Sequence, residues 1–73
     1  MKRSLDELCL FHLIGVYQLS VASKLDLRAV AALLLGYQTT RRVVEQALDG
    51  LNTLTGANYI IEDIEVHLTD GEE

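Results

Sequence analysis

The chain has 73 residues, enough for one small domain. It is 49% hydrophobic, which excludes a disordered chain, and its one cysteine excludes an internal disulfide framework. The net charge of −5 is unevenly spread: the first 42 residues hold all six Lys and Arg against three acids, while residues 43–73 hold eight acids and neither Lys nor Arg.

A chain this short buries a limited core, and such chains commonly add a disulfide, a metal or a second subunit. One cysteine and two histidines leave no structural zinc set. Oligomerisation is therefore the expected support, as a homodimer. The lone cysteine fits a reducing, cytoplasmic setting. A basic start followed by an apolar run resembles a signal peptide, but Asp6 and Glu7 interrupt it. The uncharged run from Leu8 to Ser23 contains His12, Gln18 and two serines. It also falls short of the roughly 18–20 apolar residues that span a bilayer, so no membrane partner is expected.

Ser4-Leu5-Asp6-Glu7 reads as a capping box opening a helix over Leu5–Leu19. The apolar positions of that helix surround it, so part of its surface is expected to meet another subunit through Leu10, Phe11, Ile14 and Tyr17. Asp26 is a suitable N-cap for a second helix, Leu27–Leu35, which Gly36 closes. Thr39 or Thr40 caps a third helix over residues 40–50, with Val43, Val44, Ala47, Leu48 and Leu51 at helical spacing. Gly50 costs such a helix roughly 1 kcal/mol relative to alanine. The helix either stops near Asp49 or continues to Gly56. From Tyr59 to Leu68 the apolar period changes to two, which predicts a strand, with Glu62 out of phase. Such a strand pairs either with residues 51–55 as a hairpin or with another subunit. The fold class expected is mainly α with a carboxyl-terminal strand or hairpin.

This order of elements resembles a winged helix-turn-helix domain. Ala32 precedes the turn glycine Gly36 by four places, as in that family, where the two helices approach closely. The buried branched residue usual six places after the glycine is Arg42 here, and the apolar pair Val43 and Val44 follows it. The segment Gly36, Tyr37, Arg42, Val43, Val44, Glu45, Gln46 is also similar to the recognition-helix region of the winged-helix gamma domain of bacterial DNA translocases. That likeness covers about a dozen residues. The resemblance implies that the third helix enters the major groove of double-stranded DNA. Gln38, Thr39, Thr40 and Arg41 would then be the contacts, with Arg42 on a phosphate.

The competing reading of the same stretch is that the threonines are caps and the arginines are solvated. The carboxyl half carries acids where winged domains usually carry cations, and each acid near a duplex would weaken binding. Two functions follow. The preferred one is a small DNA-binding regulator or accessory factor. The alternative is an acidic protein-binding module or inhibitor of phage or plasmid type, docking on a basic partner through Glu62, Asp63 and Glu65. Cys9 and His12, three apart, are read as core packing and not as half of a metal site. No nucleophile–base pair or glycine-rich phosphate loop suggests an enzyme, and no cofactor is expected.

Overall fold

The computed structural model describes residues 2–68. The order of elements is β1 (Arg3–Ser4), α1 (Leu5–Phe11), α2 (Val16–Ser23), α3 (Leu27–Leu34), α4 (Arg41–Thr55), a 3-10 turn (Ile61–Asp63) and β2 (Ile64–Glu65). The fold is mainly helical, with one short parallel sheet in which Arg3 pairs with Ile64 and Ser4 with Glu65.

Ser4 and Glu7 form the expected capping box: the Glu7 amide donates to Ser4 Oγ (3.2 Å) and the Ser4 amide to Glu7 Oε1 (3.0 Å). The helix they open is shorter than the apolar run suggests. In place of one helix over Leu5–Leu19 there are two, bent by 108°. Leu13 takes a left-handed conformation (φ 58°), its amide donates to the Leu10 carbonyl (3.2 Å), and the Ile14 amide donates to the Cys9 carbonyl (2.8 Å). These two bonds are the helix-closing pattern usually built on glycine. Gly15 then starts α2 from an extended conformation, and its amide donates to Gln18 Oε1 (3.0 Å). Across the bend, Leu5, Leu8 and Cys9 of α1 and Leu19 of α2 join one core.

The same closure ends α2 at Lys24 (φ 60°), where the Leu25 amide donates to the Ser20 carbonyl (3.2 Å). It ends α3 at Gly36 (φ 88°), where the Tyr37 amide donates to the Ala32 carbonyl (3.1 Å). Asp26 caps α3 by accepting from the Arg28 amide (3.3 Å). Thr40 caps α4 by accepting from the Val43 amide (3.3 Å). Helix α4 takes the longer of the two expected courses and ends at Gly56 (φ 75°). Val44, Ala47, Leu48 and Leu51 form its buried face, at spacings of three and four.

Gly50 lies inside α4 because α2 crosses there. A Cβ at Gly50 would stand 2.6 Å from the Ser23 backbone nitrogen and 2.7 Å from its Cα. The Ser23 side chain is buried, and its hydroxyl is paired by donating to the Leu19 carbonyl (2.6 Å). One turn earlier on α4, Gln46 Nε2 donates to the Ser23 carbonyl (2.8 Å) and lies 3.4 Å from that of Lys24. A side chain of α4 thus satisfies the open carbonyls at the end of α2.

The strand predicted over 59–68 is mostly not strand. Residues 51–55 are helical, so no hairpin forms, and only Ile64–Glu65 joins a named strand, with the amino terminus as partner. Asp63 is the cause: its carboxylate accepts from the Ile60 amide (3.0 Å) and rolls Ile61–Asp63 into a single 3-10 turn. Glu62, the residue out of phase in the alternation, lies in that turn. Further on, the Thr39 amide donates to the His67 carbonyl (2.9 Å), and Thr39 and Leu68 form an isolated parallel bridge. The residues after Leu68, with Asp70, Glu72 and Glu73, lie outside the described residues. Among the described residues no single helix is long and apolar enough to cross a membrane.

The crossing makes a direct prediction. Gly50→Ala, which would stabilise an isolated helix, is expected to destabilise the fold by about 2 kcal/mol or more, because backbone must shift to admit the methyl group. Urea denaturation followed by circular dichroism measures this. The exposed Thr53→Ala, on the same helix, should be neutral or mildly stabilising.

Candidate interaction site

The amino end of α4 gathers the five residues that the helix-turn-helix resemblance singles out, because they are consecutive. Their surroundings differ. Gln38 and Arg42 are exposed, and among the described residues Arg42 forms no ion pair. Thr39 is half-buried, with its backbone bonded to the carboxyl-terminal arm, residues 57–68. The Thr40 hydroxyl oxygen serves as the helix cap. Arg41 is held by two carboxylates: Nε lies 3.1 Å from Glu45 Oε2 and Nη2 lies 3.3 Å from Glu62 Oε2. The hydrogen bond that Arg41 donates to Glu62, helped by Glu45, outweighs desolvation and raises the affinity of the guanidinium for its proton.

The three acids expected to form a docking face are split among roles. Glu62 holds Arg41, Asp63 caps the 3-10 turn, and Glu65 lies exposed on β2. The structure instead brings Glu62 together with Glu45 and Asp49 of α4. These three carboxylates and Arg41 border an open groove of about 340 Å³ between α4 and the arm, where Leu48, Asn52, Tyr59, Ile60 and Ile61 also line it. A second groove of about 310 Å³ lies beside it, lined by Lys2, Ile64, Glu65, Val66 and Leu68. Arg41, Ile61 and Glu62 line both, so the Arg41–Glu62 pair stands between them.

The groove keeps its shape because the arm is tied down at Tyr59. Asn52 Nδ2 donates to the Tyr59 carbonyl (3.0 Å), and the Tyr59 amide donates to Asn52 Oδ1 (2.9 Å). A side-chain amide here imitates a strand partner. The Tyr59 hydroxyl is hydrogen-bonded to His12 Nε2 (2.8 Å), which links the arm to the end of α1. His12 is thereby engaged with tyrosine and not with Cys9. Cys9 itself is buried, and its thiol is pushed up to about 11, first by burial and then by the Asp6 carboxylate. Among the described residues no group of three or more His, Cys, Asp or Glu is placed to hold a metal ion.

Of the residues foreseen as a subunit contact, Leu10, Phe11 and Tyr17 are exposed, whereas Ile14 is half-buried against the chain's own core. Glu45 and Asp49 were the missed members of the groove. Their signal was the polar stripe Glu45, Asp49, Asn52 along one face of the third helix, at spacings of four and three. Comparison with protein-family models, curated proteins and solved structures found no match.

Two predictions follow from these contacts. Asn52→Ala removes both bonds to Tyr59 and should destabilise the protein by about 1–3 kcal/mol, with faster amide exchange at Tyr59. Cys9 makes stability depend on alkaline pH. Its unfolded thiol ionises near 9.0 and its folded thiol near 11, so the folded state binds the proton more tightly. The resulting stabilisation is complete below pH 9 and is lost as pH rises toward 11. Denaturation midpoints across that range should fall less steeply in Cys9→Ala than in the unmodified chain.

Proposed function

We propose that this chain is a small protein-interaction module that seats a basic, partly apolar segment of a partner protein in the groove between α4 and the arm. The observation that carries this reading is the set of groups around the groove. Three carboxylates border a lining of mixed polarity, and among the described residues the one cation there, Arg41, is already paired with two of them. Asp49 and the remaining carboxylate oxygens are left to accept from an incoming Lys or Arg. Exposed ion pairs contribute little each, so a partner cation could displace Arg41 at low cost. In such a site charge chiefly sets recognition and association rate, while contact with Ile60, the exposed apolar residue of the lining, adds apolar burial. An acidic inhibitor of a nucleic-acid-binding protein would be one use of this chemistry.

A second reading keeps the winged helix-turn-helix resemblance, with a homodimer reading DNA through α4. Its support is the succession of an Asp26-capped helix, a turn closed by Gly36 and a Thr40-capped helix, with Gln38 and Arg42 exposed at the amino end of that helix. Glu62 and Glu45 weigh against it, since they neutralise Arg41 and lie where phosphates would approach.

One titration separates the two. A fluorescein-labelled amphipathic peptide of Lys and Leu and a labelled generic duplex are each followed by anisotropy, at low and at near-physiological salt. The expected result is peptide binding that weakens about tenfold or more in Glu45→Gln/Asp49→Asn/Glu62→Gln, with no binding of the duplex. Duplex binding that collapses with salt and is lost in Arg42→Ala, with the peptide unbound, would overturn the protein-binding reading in favour of DNA.

A further inference from the structure

We propose that the elbow between α1 and α2 binds a second copy of this chain, with α1 of each copy lying antiparallel on α2 of the other. The proposal is independent of what the groove binds. Five large apolar residues stand open to solvent around the elbow: Leu10 (67% exposed), Phe11 (68%), Leu13 (88%), Tyr17 (71%) and Val21 (61%). At ordinary side-chain areas they present on the order of 700 Å², more than the largest apolar patch of most monomers. That area is close to the roughly 800 Å² which each partner contributes to a stable complex.

Charge identifies the occupant. Leu10 of α1 and Tyr17 and Val21 of α2 are exposed, Leu13 is exposed at the bend between the helices, and Asp6 near the start of α1 and Lys24 just beyond the end of α2 are exposed at the two outer ends. Apart from Arg3, whose guanidinium lies over the Phe11 ring at 5.6 Å, the apolar residues of the elbow are flanked by the acids Asp6 and Glu7 at the α1 end and by Lys24 at the α2 end. A surface with opposite charges at its two ends is complementary to itself under a twofold rotation, which brings Asp6 of each copy to Lys24 of the other. A partner or surface of uniform charge gains at one end and is repelled at the other. An anionic lipid surface, for example, would meet Asp6 and Glu7. Elsewhere two copies of an acidic chain bring carboxylates together, as at Glu45, Asp49 and Glu62. The bend at Leu13 sets the two helices at 108° to each other. The contact therefore involves a corner, and not the single helix face that the sequence suggests.

Sedimentation equilibrium of the full chain over a wide concentration range tests this. The expected result is a reversible dimer that Leu13→Asp converts to a monomer with unchanged circular dichroism. A second set of variants does not depend on the apolar residues. Asp6→Lys and Lys24→Asp should each weaken the dimer about tenfold, because the contact occurs twice, and the double variant should recover it. A chain that stays monomeric to roughly millimolar concentration, near the weak limit of specific affinities, would overturn the proposal. So would a dimer that persists in Leu13→Asp, or a double charge variant no stronger than the single ones.

Discussion

The close crossing of α2 and α4 is the contact on which the rest of the arrangement depends. Where Gly50 meets Ser23 the two backbones approach too closely for a side chain between them, and this fixes the relative height of the two helices. With that height set, Gln46 reaches the carbonyls that end α2, and Leu19 and Leu51 are buried together in the core. Asn52, two residues beyond Gly50, is then positioned to hold the backbone of Tyr59. The groove is a consequence: it is the space left between the polar face of α4 and an arm held at a fixed distance from it.

The distribution of charge along the sequence becomes an internal contact in the fold. Arg41 is among the last cations of the basic half, and Glu62 belongs to the acidic half. Their pairing draws the arm onto the amino end of α4, and Glu45 completes the cluster from one helical turn away. Such pairs add little stability at a surface. They replace an open basic helix end with one of mixed charge, where Arg41 and Arg42 stand beside Glu45 and Glu62. This balance is the reason the groove reading stands ahead of the DNA reading, although the Asp26 cap, the Gly36 closure and the Thr40 cap follow one another in order.

Much of the local structure was legible because its causes are local. The Ser4–Glu7 box, the Asp26 cap and the Gly36 closure each require only a few neighbouring residues, and the buried face of α4 follows from spacing alone. The break at Leu13 was hidden because a leucine occupies the left-handed position that glycine usually marks, while the apolar pattern continues through it. Gly15 followed by Gln18 three places later was the available sign of a new helix. The arm was misread for a different reason. Alternation of branched residues resembles a strand, yet the Asp63 carboxylate favours a turn, and the partner strand lies 61 residues earlier at Arg3 and Ser4. Of the candidate site, Gln38 to Arg42 could be found as a run. The union of Glu45, Asp49 and Glu62 could not, since it depends on where the arm lands.

The most direct test of the account is amide chemical-shift mapping of the labelled chain, titrated in parallel with a basic amphipathic peptide and a short DNA duplex. The peptide is expected to perturb Leu48, Asn52, Tyr59 and Ile61 around the groove, while the duplex leaves the spectrum unchanged. Perturbation of Gln38 through Arg42 by the duplex, with the groove residues unmoved by the peptide, would contradict it.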